Sequence, residues 1–212
     1  LMLFLPKAEV EVLESETNLE ILLKGWKLVA RDPRLRLFVS ANLFEIFSNT
    51  IWVSSIMLVF VTELLNKTES YWGYSNTAYS IGIIISGLIA FRLSEKFLAA
   101  KWESILFPLV AMAIVTLTIL YFSNAQMFLL FSALVGMLSQ LKEVPETVFL
   151  QETVEENNLV NVYSVLEVIS TLAFSVFVLL MSYITENFGI SISFWLSAIC
   201  LMIEAILIYI RR

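Results

Sequence analysis

Apolar runs close to twenty residues long recur through this chain, and only short polar breaks separate them. A helix needs roughly 20 mostly apolar residues to cross the hydrocarbon core of a bilayer. Six stretches approach that requirement: Leu37–Val61, Tyr74–Phe91, Ile105–Phe122, one starting at Met127, Leu159–Ile184 and Ile190–Ile210. The breaks between them are Asn66–Ser70, Ser94–Glu103, Ser123–Gln126 and Thr185–Gly189. Inside lipid every backbone N–H and C=O must be satisfied within the protein, which leaves helices for runs of this length. The predicted fold class is an all-α integral membrane protein with a bundle of six transmembrane helices.

Composition agrees. Of 212 residues, 59% are apolar and 15% charged, against about 45–50% and about 25% in soluble domains. That argues against a soluble enzyme, a disordered tail and a nucleic-acid binder, and the net charge of −6 leaves no basic footprint for nucleic acid. The sequence contains no His, so a His-dependent triad, a His-ligated metal and an imidazole relay are ruled out. Its one cysteine, Cys200, closes no disulfide within the chain and builds no Cys-rich metal site. No metal and no cofactor are expected. Glu155 and Glu156 are adjacent acids, as in some membrane proteases, but without His or a nearby Arg they form no complete catalytic set. The chain is not expected to be an enzyme.

The fourth span has two readings. Its apolar run stops near Leu138, and Gln140, Lys142, Glu143, Pro145, Glu146 and Gln151 follow. Either a short span leads into a long loop, or one helix continues to about Gln151 with its polar part facing the bundle interior. Met127–Leu138 alone is too short to cross, which favours the long helix.

Lys and Arg near the span ends set the expected orientation. Twelve fall on one side, from Lys7 and Lys24 through Arg36, Arg92 and Lys101 to Arg211 and Arg212, and only Lys67 falls on the other. Taking Lys142 out of the loop count leaves eleven to one. Both termini are expected in the cytoplasm of a multi-pass cell-membrane protein. Residues 1–35 read as a separate unit from the bundle of 36–212. Leu1–Leu5 is apolar up to Pro6 and reads as the end of a preceding helix. After an acidic patch, Leu19, Leu22, Leu23, Trp26, Val29 and Ala30 recur at helical spacing, with Lys24, Lys27 and Arg31 on the remaining arc. That pattern predicts an amphipathic helix on the anionic inner leaflet.

A charged side chain in hydrocarbon costs about 2.5–3.5 kcal/mol or more, so it turns toward the bundle interior or a water-filled cavity. Asn42, Glu45 and Asn49 share one face of the first span. Ser132, Gly136, Gln140, Glu143, Thr147 and Gln151 form a stripe on the fourth, and Ser164, Glu167, Thr171 and Ser175 do so on the fifth. Glu45 lies about 14 Å beyond Arg36 and Glu167 about 12 Å beyond Leu159, similar depths from the same side. The candidate proton-coupling or cation-binding residues are therefore Glu45 and Glu167. The candidate cavity-lining residues are Asn42, Asn49, Gln140, Lys142, Glu143 and Thr171. Lys142 can partner one of the two acids, or it can simply neutralise Glu146 one turn away. Glu204, late in the sixth span, can snorkel or pair with Arg211. In the second span Ala78, Gly82, Ser86 and Ala90 fall at steps of four, a spacing that lets two helices approach closely.

Three stretches resemble the C-terminal six-helix half of the major facilitator superfamily. Gly25 to Leu37, with Arg31, Pro33 and Arg36, is similar to the lead into helix seven. Gly73, Tyr74, Ser75, Gly82 and Gly87 resemble the helix-eight pattern. Pro145, Thr147, Gln151 and Val154, then Val162 and Ser164, resemble the junction of helices ten and eleven. Leu159, Val160 and Asn161 stand where that family usually has Arg-Gly-Arg. The branch it looks most like is that of bacterial drug exporters, which includes macrolide-efflux permeases. The resemblance implies one half of a secondary active, proton-coupled exporter of small amphipathic compounds in the bacterial cytoplasmic membrane. Its implied partners are the lipid bilayer, an N-terminal six-helix half, protons and a small-molecule substrate. The alternative is the six-helix domain of an ATP-driven transporter. The chain carries no Gly-rich phosphate loop, so that reading needs a separate nucleotide-binding chain.

Overall fold

A computed structural model describes residues 18–99, 101–122 and 124–210, and the described residues are helical throughout, apart from short turns. The apolar Leu1–Leu5 segment, the acidic patch, Lys7, Arg211 and Arg212 lie outside the described residues. Among the described residues, eight α-helices follow one another: α1 (Asn18–Arg31), α2 (Pro33–Asn49), α3 (Ser54–Val59), α4 (Ser70–Ala99), α5 (Lys101–Tyr121), α6 (Ala125–Thr153), α7 (Glu156–Phe188) and α8 (Ile190–Ile210).

Four of these helices, α5 to α8, are long and apolar enough to cross a membrane, and α2 with α3 makes a fifth candidate as one bent span. The expected second span lies within α4, which is 30 residues long. Asn76, Thr77 and Ser80 dilute the apolar character of its first half. The fourth expected span is one unbroken helix, α6, running through Lys142 to Thr153. Asn124 caps its start, accepting the backbone N–H of Gln126 at 2.9 Å. Asp32 caps α2 in the same way, accepting from Arg34 N at 2.7 Å, and Pro33 supplies the fixed φ that suits a first helical residue. The Arg34 side chain also bonds the Asp32 carboxylate at 2.9 Å and holds its pKa below the usual value.

The first span differs from the continuous helix expected for Leu37–Val61. It passes through a 3₁₀ turn at Thr50–Trp52, becomes extended at Val53 and restarts at Ser54, bending by 45°. Thr50 Oγ1 donates to the Phe47 carbonyl at 2.6 Å, a local bond that competes with the helical ladder. A π-helical turn, Phe60–Leu64, then ends the span.

The helices stand in the spatial order α4, α6, α5, α8, α2, α7. The α4–α6 pair is the closest. A Cβ on Gly82 would lie 2.0 Å from the Ala133 carbonyl oxygen, and one on Gly136 would lie 2.2 Å from that of Tyr79. Each backbone thus sits where the other helix would need a side chain, as the small-residue spacing in the second span predicts. Tyr79 and Ser139 hydroxyls then join the pair at 3.1 Å. Two apolar cores lie along the bundle. One gathers Ala41, Ile105, Leu109, Val135, Leu138 and Leu201. The other gathers Ile51, Met57, Phe60, Phe128 and Phe194, with the Phe60 ring 5.2 Å from Phe128 and 5.1 Å from Phe194.

The amphipathic α1 forms and docks on the start of α7. Gly25 permits this, because a Cβ there would lie 2.3 Å from the Asn161 carbonyl oxygen. Val29 is buried beside Leu35, Val162 and Val165, whereas Leu23 and Trp26 stay exposed. Along α7 most large apolar side chains, among them Leu172, Val176 and Leu179, are also exposed.

Candidate functional site: a buried lysine among three carboxylates

Three helices each send an acid to one lysine. Lys142 lies mid-way along α6, three residues before Pro145, and is 1% exposed. Its Nζ donates to Glu45 Oε2 of α2 at 2.6 Å, to Glu146 Oε1 one turn along α6 at 2.7 Å and to Glu204 Oε1 of α8 at 3.1 Å. An ammonium has three donors, and all three are used. Asn42 Nδ2 donates to the same Glu45 oxygen at 3.3 Å, one helical turn before it. Glu45 and Glu204 come from helices that pack little against α6 directly, so the cluster is a principal link from α6 to α2 and α8.

Buried charge is tolerated only when paired and hydrogen-bonded. Here one ammonium faces three carboxyls, so full ionisation would leave two uncompensated negative charges in a low-dielectric interior. Glu204 is 1% exposed, and its Oε2 has no hydrogen-bond partner among the described residues. Single oxygens of Glu45, Glu146 and Glu204 lie within 4.8 Å of one another, a spacing that a metal ion could also bridge. The Lys142 ammonium already bonds all three acids, and its charge opposes a second cation there.

The expected site residues separate into groups. Asn42, Glu45 and Lys142 come together in the cluster. Gln140 and Glu143 flank Lys142 on α6, the first half-buried and the second exposed. Glu167 and Thr171 are exposed on α7 and take no part in the cluster's bonds. Asn49 lies beyond the cluster, where it lines a cavity of about 230 Å³ with Trp52, Met57, Asn76, Tyr79 and Ser139, next to the bend in the first span. Several other polar residues join helices: Ser48 and Ser197 hydroxyls meet at 2.6 Å between α2 and α8, and Thr185 and Ser193 at 2.7 Å between α7 and α8.

Two cluster members, Glu146 and Glu204, were not among the candidate site residues. A signal existed for each. Glu146 is four residues after Lys142, and Glu204 shares a face of α8 with Ser193 and Ser197, both fully buried. That face meets α2 and places Glu204 against Lys142, away from the snorkelling position that its lateness in the span suggested.

Comparison with known proteins agrees with this architecture. The family model described as Major Facilitator Superfamily matches residues 37–212. The uncharacterized MFS-type transporter YfmI of Bacillus subtilis (strain 168) is 28% identical over 185 residues, covering 87% of this chain and 46% of that protein. A second uncharacterized MFS-type transporter of the same organism, YjbB, is 27% identical over 187 residues, covering 88% and 46%. The chain therefore spans about half the length of the relatives it matches. No solved structure matches it significantly. With most of its length under the family model and its apolar helices bundled around buried charge, the chain belongs to the Major Facilitator Superfamily, whose members are membrane transporters rather than enzymes.

Proposed function

We propose that this chain is the C-terminal six-helix half of a secondary active, proton-coupled exporter of small amphipathic compounds, in the branch of bacterial drug- and macrolide-efflux permeases. The single observation that carries the reading is Lys142, buried and bonded to Glu45, Glu146 and Glu204 from three helices. A cluster with more acid than base, deep in apolar surroundings, can change its proton content as the helices around it shift. That is the property a proton-driven carrier requires. In this reading Glu45 binds or releases the coupled proton with the help of Lys142 and Asn42. Asn49, Gln140 and Glu143 line the substrate path. Glu167 and Thr171, exposed on α7, face an N-terminal half across a shared site, and Glu167 binds a cationic substrate there. The two halves rock about that site.

Residues 1–35 form the linker between halves, and 36–212 form the bundle. Both termini lie in the cytoplasm, as the Lys and Arg distribution favours. The exposed Leu23 and Trp26 of α1 rest on the inner leaflet.

The test uses the full-length transporter in proteoliposomes, with an imposed pH gradient and a panel of lipophilic cations and neutral macrolides. Gradient-driven transport of at least one compound, lost in Glu45→Gln, is the expected result. Transport energised by ATP without a gradient, or unchanged gradient-driven transport in both Glu45→Gln and Glu167→Gln, overturns the reading.

A further inference from the structure

The cavity of about 230 Å³ beside the bend in the first span is built from three sides: Asn49 and Trp52 of the first span, Trp72, Asn76 and Tyr79 of α4, and Ser139 of α6. It runs from Trp72, near the start of α4, to Tyr79, about 10 Å further along that helix. None of the described residues that line it carries a charge. The two indoles and the phenol ring offer broad apolar surfaces, and polar side chains lie among them. Aromatic walls with a few placed hydrogen-bonding groups are the composition of a small-molecule site. Sites that enclose a drug-sized ligand measure about 300–1,000 Å³, so this smaller one holds a single ring of such a compound.

The hydrogen-bonding state of the polar groups narrows the chemistry. Asn49 is exposed, and its amide makes no hydrogen bond among the described residues. Asn76, also exposed, donates its amide nitrogen to the Trp72 carbonyl at 3.2 Å, which leaves its oxygen to accept. Ser139 donates to the Gly136 carbonyl at 3.3 Å and accepts from Tyr79 at 3.1 Å, so both hydroxyl oxygens keep a lone pair. The free groups are mainly neutral acceptors, which suit a ligand that donates from hydroxyl or amide groups and carries no charge. Position adds a second argument. Asn49 follows Glu45 by four residues on α2, and Ser139 precedes Lys142 by three on α6, so the cavity lies one helical turn from the ion pair on both helices. These helices pack little against each other. A ring seated between Asn49 and Ser139 therefore bears on the separation of Glu45 and Lys142.

We propose that this cavity binds an uncharged ring bearing hydroxyl or amide groups, the neutral part of the transported compound. The ring packs against the indoles, and its donors meet Asn76 Oδ1 and the Asn49 amide. Where a compound also has a cationic part, that part is held elsewhere, at Glu167. The inference names the substrate chemistry for the transporter reading and rests on it, but it can fail while that reading stands.

The experiment is fluorescence titration of the detergent-purified full-length transporter with two neutral probes. One is 4-nitrophenyl β-glucoside, whose sugar carries hydroxyls, and the other is 4-nitroacetanilide, which carries an amide. The nitroaryl group of each quenches nearby tryptophan. At least one probe should bind saturably, and its quenching at saturation should fall in Trp72→Phe. Asn49→Leu and Asn76→Leu, both at exposed positions, should each weaken that binding at least tenfold, and circular dichroism identifies the variants that are folded. Tetraphenylphosphonium, a cation without a hydrogen-bonding group, should bind every folded variant within twofold of wild type. Saturable binding of neither neutral probe, unchanged affinity in the folded Asn variants, or an equal loss of tetraphenylphosphonium binding overturns the proposal. Gradient-driven transport by wild type in proteoliposomes shows separately whether the broader reading holds.

Discussion

Replacing Lys142 by Met removes the only cation from a cluster of three acids whose oxygens lie within 4.8 Å of one another. At an effective dielectric of about 20, two unit charges about 4.8 Å apart repel by roughly 3.5 kcal/mol. Three such pairs would cost roughly 10 kcal/mol, comparable with the whole stability of an ordinary domain at about 5–15 kcal/mol. The protein will shed part of that by neutralising acids. The remaining penalty is that of a broken buried ion pair, about 3–5 kcal/mol. In a full-length protein about twice the length of this chain, that lowers the unfolding temperature by roughly 5 °C. Circular dichroism of the detergent-purified full-length transporter reads the shift. The sharper test is a double-variant cycle. Glu45→Gln alone should destabilise by breaking a 2.6 Å ion pair, but added to Lys142→Met it should recover part of the loss, because one repelling charge is gone. A Lys142→Met protein within about 0.5 kcal/mol of wild type, as ordinary surface changes are, would refute the reasoning, as would strictly additive losses.

Other consequences follow from local geometry. Gly136→Val should force α4 and α6 apart, since even a Cβ would lie 2.2 Å from the Tyr79 carbonyl oxygen; size-exclusion chromatography should show loss of monodisperse protein, and a normal profile would contradict the packing. Gly25→Leu should release α1 from α7 without unfolding the bundle, seen as faster proteolysis within Asn18–Arg31 at an unchanged melting temperature. Asn124→Ala should cost about 1 kcal/mol by removing the α6 cap. Asp32→Ala should cost a similar amount at neutral pH. Because Arg34 holds the Asp32 carboxyl below its ordinary 3.8, the wild-type advantage is complete above that value and fades as pH falls through the lowered range. Melting curves of wild type and variant against pH check this, and a gap that widens in acid would contradict it.

The spans were legible because bilayer thickness imposes a length on every apolar run, and Ile190–Ile210 matches α8 in full. The continuation of α6 past Leu138 to about Gln151 was legible for the same reason, since the twelve residues Met127–Leu138 could not cross alone, and the helix ends at Thr153. The bend near Val53 was not, since neither Gly nor Pro marks it, and it arises where Thr50 bonds back to Phe47. The cluster was half legible. Periodicity placed Glu45 beside Asn42, but the stripe it drew on α6 ran through Gln140 and Glu143 and passed Lys142 by; Glu143 is exposed and Lys142 is the buried one, and periodicity says nothing about which helices are neighbours. That α8 packs against α2 and α5 decides where Glu204 goes, and this depends on tertiary packing of Ser48 on Ser197 and of Leu201 among Ile105 and Leu109. The small-residue spacing in α4 named a close contact, and Gly136 of α6 proved to be its counterpart.

Proton stoichiometry tests the central claim most directly. In a weakly buffered solution of purified full-length transporter, addition of tetraphenylphosphonium or another transported compound should release protons from wild type. A variant carrying Glu45→Gln, Glu146→Gln, Glu204→Gln and Lys142→Met, which keeps the cluster's shape but not its charge, should release none while still binding the compound. Equal release from both proteins would place the coupled proton elsewhere and contradict the account.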